Sequence, residues 1–141
     1  MPGASPRRKT LADVAEKMLS AAAKARGEPE AMALAAKAGA DTRAVYEVIS
    51  ASAGNSWMFG NRVPHMLDDD YAPLSAIDIF VKDLGLALGT GHEHRLPLPM
   101  AAAAHQLFLA AAGAGWGRLD DAAVVKVYEQ AGDFKVASPK R

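Results

Sequence analysis

Apolar residues return every three or four positions along most of the chain, and runs of β-branched residues are few. That period marks helices that bury one face. It predicts a first helix over residues 10–25, rich in alanine and alternating charge, which Gly27 and Pro29 interrupt. Pro29 suits the first turn of a second helix, where its missing N–H costs nothing. Gly39 ends that helix as a left-handed cap. Asp41 caps a third helix through Ile49, with Val45, Val48 and Ile49 inward. Residues 51–56 form a Gly/Ser/Asn turn, and residues 57–67 read as a helix made irregular by Gly60 and Pro64. A polar loop comes next, over residues 68–73. Ser75 and Asp78 have capping-box spacing at the start of the next helix, which ends near Gly89 or Gly91. Residues 92–99 form a turn punctuated by Pro97 and Pro99. Residues 100–112 form a helix with Met100, Leu107, Phe108 and Ala111 inward. Asp120 or Asp121 caps a last helix through Gln130, and residues 132–141 read as a frayed tail. The expected fold is all-α, a single bundle of about seven helices with short links.

Composition narrows this reading. A chain of 141 residues allows one domain, and half its residues are apolar, enough for a real core. Sixteen basic residues balance sixteen acidic ones, so no broad charge bias points to nucleic acid or an anionic membrane. With no cysteine there is no disulfide framework and no thiolate chemistry, which fits a cytoplasmic protein. No apolar run approaches the roughly 20 residues of a membrane span. Arg7, Arg8 and Lys9 precede no apolar stretch of the secretory kind.

The chemistry concentrates on residues 76–89. On a 3.6-residue period Asp78, Lys82, Gly85 and Gly89 share one face. Ile77, Phe80, Val81, Leu84 and Leu88 share another with core spacing. Glycine inside a helix costs roughly 1 kcal/mol against alanine. Two glycines beside a lysine therefore suggest close approach by another helix or a ligand. The plainer alternative is an Asp78–Lys82 pair on a wet face. Asn55, Ser56 and Trp57 begin a helix at a turn, where free N–H groups could receive a carboxylate. The plainer alternative, which the residues favour, is ordinary capping by Ser56 with Trp57 in the core. His92 and His94 do not share a helical face and no HExxH pattern occurs, so no metal is expected. His65 and His105 read as residues with ordinary hydrogen bonds.

Lys82-Asp83-Leu84-Gly85-Leu86-Ala87 resembles the KDLxLA segment in the second domain of the β-hydroxyacid dehydrogenases. That family includes 3-hydroxyisobutyrate dehydrogenase, tartronate semialdehyde reductase and L-threonate dehydrogenase-like enzymes. Glu30 to Gly39, Val48-Ile49-Ser50, Gly54-Asn55-Ser56-Trp57, Leu98-Pro99, His105 to Phe108 and Gly115 to Glu129 are similar to further segments of it. Together they cover about residues 28–130. Trp57-Met58-Phe59 and Asn61-Arg62-Val63-Pro64 place the likeness nearest the L-threonate branch.

The resemblance implies an all-α domain over residues 28–131, like the second domain of 6-phosphogluconate dehydrogenase-type enzymes, which supplies substrate and dimer contacts. Residues 1–27 are read as divergent. The family's other half is a Rossmann domain with a GxGxxG turn. No such turn stands near a strand pattern in this chain, and Gly113-Ala114-Gly115-Trp116-Gly117 has the wrong spacing. The expectation is therefore a C-terminal domain of an NAD(P)-dependent hydroxyacid dehydrogenase, inactive alone. NAD or NADP would not bind it tightly without a Rossmann domain, which a separate chain could carry, and a small hydroxyacid would be the substrate.

By the same likeness Lys82 lies near the cofactor, and Asn55 and Ser56 near the substrate. The catalytic lysine follows a G-x-G-x-x-x-K pattern, which Gly3 to Lys9 match only at the first glycine and the lysine. Ser5 replaces the second glycine, Asp13 stands where the family has Asn or Gln, and about five extra residues centre on Lys24 to Pro29. Without them Val14 would take the lysine's place. Lys9 is thus either the catalytic lysine or one charge of a solvated basic patch, where a pKa near 10.4 makes a poor base. The competing function is a non-catalytic helical module that forms a homo-oligomer, a dimer first of all, through its small-residue faces.

Overall fold

The alanine- and leucine-rich sequence closes into helices packed directly on one another. The computed structural model describes residues 27–139. Lys9 and the helix expected over residues 10–25 lie outside the described residues. Within them stand six α-helices: α1 (Glu28–Lys37), α2 (Thr42–Ser50), α3 (Trp57–Asp68), α4 (Ile77–Glu93), α5 (Pro99–Ala111) and α6 (Val125–Gly132). A π-helical turn, Ala112–Trp116, and a short 3₁₀ helix, Asp121–Val124, join α5 to α6. No strand forms among the described residues; one isolated antiparallel bridge joins Ala76 to Asp120.

Several helix ends are explained by their residues. Gly39, at φ +83°, donates its N–H to Ala36 O, closing α1. The Asp41 carboxylate accepts from the N–H groups of Arg43 and Ala44 at the start of α2. Ser56 Oγ accepts from Phe59 N–H, 2.9 Å away, at the start of α3. The capping box expected from Ser75 and Asp78 does not cap α4. Ala76 is the capping residue and has no side-chain bond to give. Instead the N–H groups of Ile77 and Asp78 donate to Leu119 O and Gly117 O, each at 2.9 Å. The incoming loop after α5 thus satisfies the end of α4.

The core runs through Met32, Val63, Met66, Ile77, Leu84 and Phe108, and the rings of Phe80 and Phe108 stack at 5.3 Å. α4 and α5 pack against each other along much of their length. Two expected core positions lie outside it. Met100 is 55% exposed and Val48 69% exposed. α5 buries Ala101, Ala104, Phe108 and Ala111, a stripe that excludes Met100. The segment read as a frayed tail is docked over its described part. Val136 is fully buried in the core, and Ser138 N–H donates to Leu67 O. α4 continues past Gly91 to Glu93.

Candidate functional site

Ile77, Phe80, Leu84 and Ala87 are all buried, which fixes the phase of α4. That phase turns Lys82 outward. Its side chain is 66% exposed, and Nζ lies 3.5 Å from Oδ1 of Asp83, whose own side chain is only 7% exposed. The Asp78–Lys82 pair does not form among the described residues. Asp78 lies over Gly117, and a Cβ at Gly117 would sit 2.7 Å from Asp78 Cγ. Gly117 thus leaves room for the exposed Asp78 carboxylate, which a Cβ there would push aside.

Gly85 and Gly89 admit no helix at close range among the described residues. A Cβ at Gly89 would meet nothing within 4 Å, and one at Gly85 only His105 Nε2 at 3.8 Å. The tight contact on α4 is at Gly91, where Leu98 Cδ1 would come within 2.6 Å of a Cβ. Half-buried His105 bonds from Nε2 to Val81 O at 3.1 Å, tying α5 to α4 one residue before Lys82. His65 Nδ1 bonds to Asp70 O at 3.2 Å.

Asn55 and Ser56 stand at the start of α3. Asn55 N–H donates to Ser52 O at 3.1 Å. The Ser56 hydroxyl caps Phe59 and donates to Glu28 Oε1 at 2.9 Å. Ser56 also lines a hollow of about 410 Å³ with Glu28, Ala31, Ile49 and Phe59. Both hydrogen bonds of that hydroxyl are committed to the fold, so a carboxylate arriving here would meet the first helical N–H groups instead. Trp57 is 75% exposed rather than core. No hydrogen bond or ion pair joins Lys82 to Asn55 or Ser56 among the described residues. Nor does any group of three His, Cys, Asp or Glu side chains there have the arrangement to hold a metal ion.

Sequence reasoning missed a buried charged cluster behind α4. Arg62 Nε lies 2.8 Å from Asp121 Oδ1, with 9% and 0% of the two side chains exposed. Beside it, Asp120 accepts from Leu74 N–H at 3.0 Å, Ser75 N–H at 3.2 Å and Ala122 N–H at 3.1 Å. Burial alone would raise the Asp120 pKa. The three N–H groups and the Arg62 charge outweigh it and hold the carboxyl below its ordinary range. Asp120 and Asp121 were legible as caps, but nothing in the spacing paired Asp121 with an arginine 59 residues earlier.

Comparison with known proteins places this helical architecture among the dehydrogenases. Residues 11–128 match the family described as NAD-binding of NADP-dependent 3-hydroxyisobutyrate dehydrogenase. The match begins inside the segment read as divergent. L-threonate dehydrogenase of Cupriavidus necator is 56% identical over 99 residues, covering 70% of this chain and 33% of that protein. The 2-(hydroxymethyl)glutarate dehydrogenase of Eubacterium barkeri is 41% identical over 102 residues, 72% of this chain and 34% of that protein. A crystal structure of 3-hydroxyisobutyrate dehydrogenase from Salmonella typhimurium superposes with a TM-score of 0.80 at 47% identity, covering 83% of this chain and 41% of the other. The class is therefore the helical domain architecture of these oxidoreductases. The chain belongs to the NAD-binding family of 3-hydroxyisobutyrate dehydrogenase. It spans about a third of the length of the curated relatives it matches. Among the described residues no helix is long and apolar enough to cross a membrane.

Proposed function

We propose that this chain provides the helical domain of an NAD(P)-dependent 3-hydroxyacid dehydrogenase whose substrate is L-threonate or a close analogue. The observation that carries the reading is the 56% identity to an L-threonate dehydrogenase across 99 residues. NAD(P), held by a dinucleotide-binding domain, would supply the hydride acceptor. The groups on this chain would do the rest. The exposed Lys82 ammonium, near only the Asp83 carboxylate among the described residues, is available to face the cofactor across a domain seam. There a fixed cation would stabilise developing negative charge. Lys9 would exchange the proton of the substrate hydroxyl, provided burial or a neighbouring cation lowers its pKa. Asn55 and Ser56 would border the substrate, with the α3 N–H groups as donors to its carboxylate.

The test mixes this chain with the dinucleotide-binding domain of an L-threonate dehydrogenase and follows NAD(P)H absorbance with L-threonate. Turnover above that of either part alone is expected, with none from this chain by itself. A complex that forms and shows no turnover with L-threonate or related hydroxyacids would overturn the proposal.

A second reading, a non-catalytic oligomerisation module, is favoured by one observation. Trp57, Leu34, Leu74, Leu96 and Leu86 are 75%, 70%, 70%, 61% and 59% exposed, an unusual amount of outward apolar surface. Sedimentation that stays monomeric at high concentration would remove this reading and leave the first intact.

A further inference from the structure

Lys126 lies in the first turn of α6 and is half-buried. Its Nζ sits 5.2 Å from the centre of the Trp116 ring and 5.5 Å from that of Tyr71. Among the described residues it has no carboxylate or other acceptor within bonding distance. A lysine held between two aromatic faces has lost much of its rotamer freedom and some of its water. Its N–H donors are nevertheless unspent. Beside it opens a hollow of about 370 Å³, walled by Trp116 and Phe134 and edged by Gln130, Glu129 and Lys135. Phe134 is held by close packing on Gly132, where a Cβ would lie 2.5 Å from the ring.

The other charges of the hollow decide its preference. Glu129 is buried and occupied, accepting from Val136 N–H at 3.0 Å and from Lys135 Nζ at 3.2 Å. Lys135 is thus largely neutralised, and exposed Asp133 stands at the rim. One ammonium remains to be matched. We propose that this hollow binds a small organic monocarboxylate with a flat apolar body, its carboxylate on Lys126 and its body against Trp116 and Phe134. With Glu129 and Lys135 offsetting each other, a dianion such as phosphate would meet one open cation and the Asp133 carboxylate, and would be disfavoured. The site does not rest on the dehydrogenase reading, and no residue proposed for that reaction takes part in it.

The experiment titrates the full chain with sodium benzoate, with benzyl alcohol and with inorganic phosphate as controls. Binding is read by amide chemical shifts and by Trp116 fluorescence in a Trp57→Phe background. Benzoate is expected to give saturable shifts centred on Trp116, Lys126 and Phe134, with a Kd on the order of 1 mM. Lys126→Met should weaken binding at least about tenfold, the loss of one charge-assisted contact, while Lys126→Arg retains most of it. Circular dichroism checks that both variants fold; if Lys126→Met does not, Lys126→Gln takes its place. The proposal is overturned by non-saturable shifts, by equal binding of benzyl alcohol or phosphate, or by benzoate affinity indifferent to the loss of the ammonium.

Discussion

Two buried polar side chains carry opposite expectations. The Tyr71 hydroxyl is buried and has no hydrogen-bond partner among the described residues. Burial first, then the nearby charges of Glu129 and Asp69, push its pKa well above the ordinary tyrosine value, so it stays a neutral, unsatisfied donor. Tyr71→Phe keeps the ring against Lys126 and removes that donor. It should be neutral or stabilising by up to about 1 kcal/mol in urea unfolding. A clear loss of stability would mean the hydroxyl has a partner after all. Asp120 is the reverse case, with three backbone N–H groups on its carboxylate. Asp120→Ala strands all three and should cost roughly 3 kcal/mol. Its depressed folded pKa also sets a pH window. The stabilisation is full above the unfolded value near 3.9 and is lost as pH falls from there through the lower folded value. Urea midpoints measured from pH 5 downward should therefore fall more steeply for the wild-type chain than for Asp120→Asn. Parallel slopes would dismiss the linkage.

Among the elements, the described C-terminal stretch acts as a strap. Val136 fills the core, its N–H donates to Glu129 and its carbonyl accepts from Thr42 Oγ1 at 2.9 Å. Arg43 holds the strap two residues further on, with its Nη2 2.8 Å from Ser138 O and 2.7 Å from Asp68 Oδ1. Val136→Ala removes two buried methyl groups and should lower stability by about 2 kcal/mol in urea or thermal unfolding. A loose tail would make the same change silent. The strap was illegible in sequence because most of its bonds are to backbone groups, which leave no periodic pattern. Helix positions and caps were legible, since Asp41, Ser56 and Gly39 act through local chemistry that is written in the residues themselves. The inward face of α5 was legible at Phe108 and Ala111, both buried as expected, but not in the helix's first turn. There the alanines fit either side, and the stripe that Phe108 and Ala111 set runs back through Ala104 and Ala101, leaving Met100 out. The glycines of α4 misled for a related reason. A missing Cβ announces room for close approach, but only the neighbours reveal that Gly91 and Gly117 use it and Gly89 does not.

For the whole molecule the question is which surface meets the cofactor-bearing half of the proposed enzyme. The six-residue run singles out Lys82 as the candidate, and buried Phe80 and Leu84 on either side of it in sequence fix where its Cα stands on the surface. Because the Lys82 end of its pair with the buried Asp83 carboxylate is open to water, the pair contributes little to stability, on the order of 0–1 kcal/mol. Lys82→Met should therefore leave the unfolding midpoint of this chain almost unchanged. In the assembled enzyme the same substitution should lower kcat/KM about 10–100-fold, the scale of one lost electrostatic donor at a reacting centre. Lys82→Arg should restore part of it. The combination matters, because damage to packing would lower stability and activity together, whereas loss of a seam cation lowers activity alone. If the assembled Lys82→Met enzyme turns over L-threonate at the wild-type rate, Lys82 has no part in the reaction, and the exposed apolar side chains around the bundle become the better guide to where its partner docks.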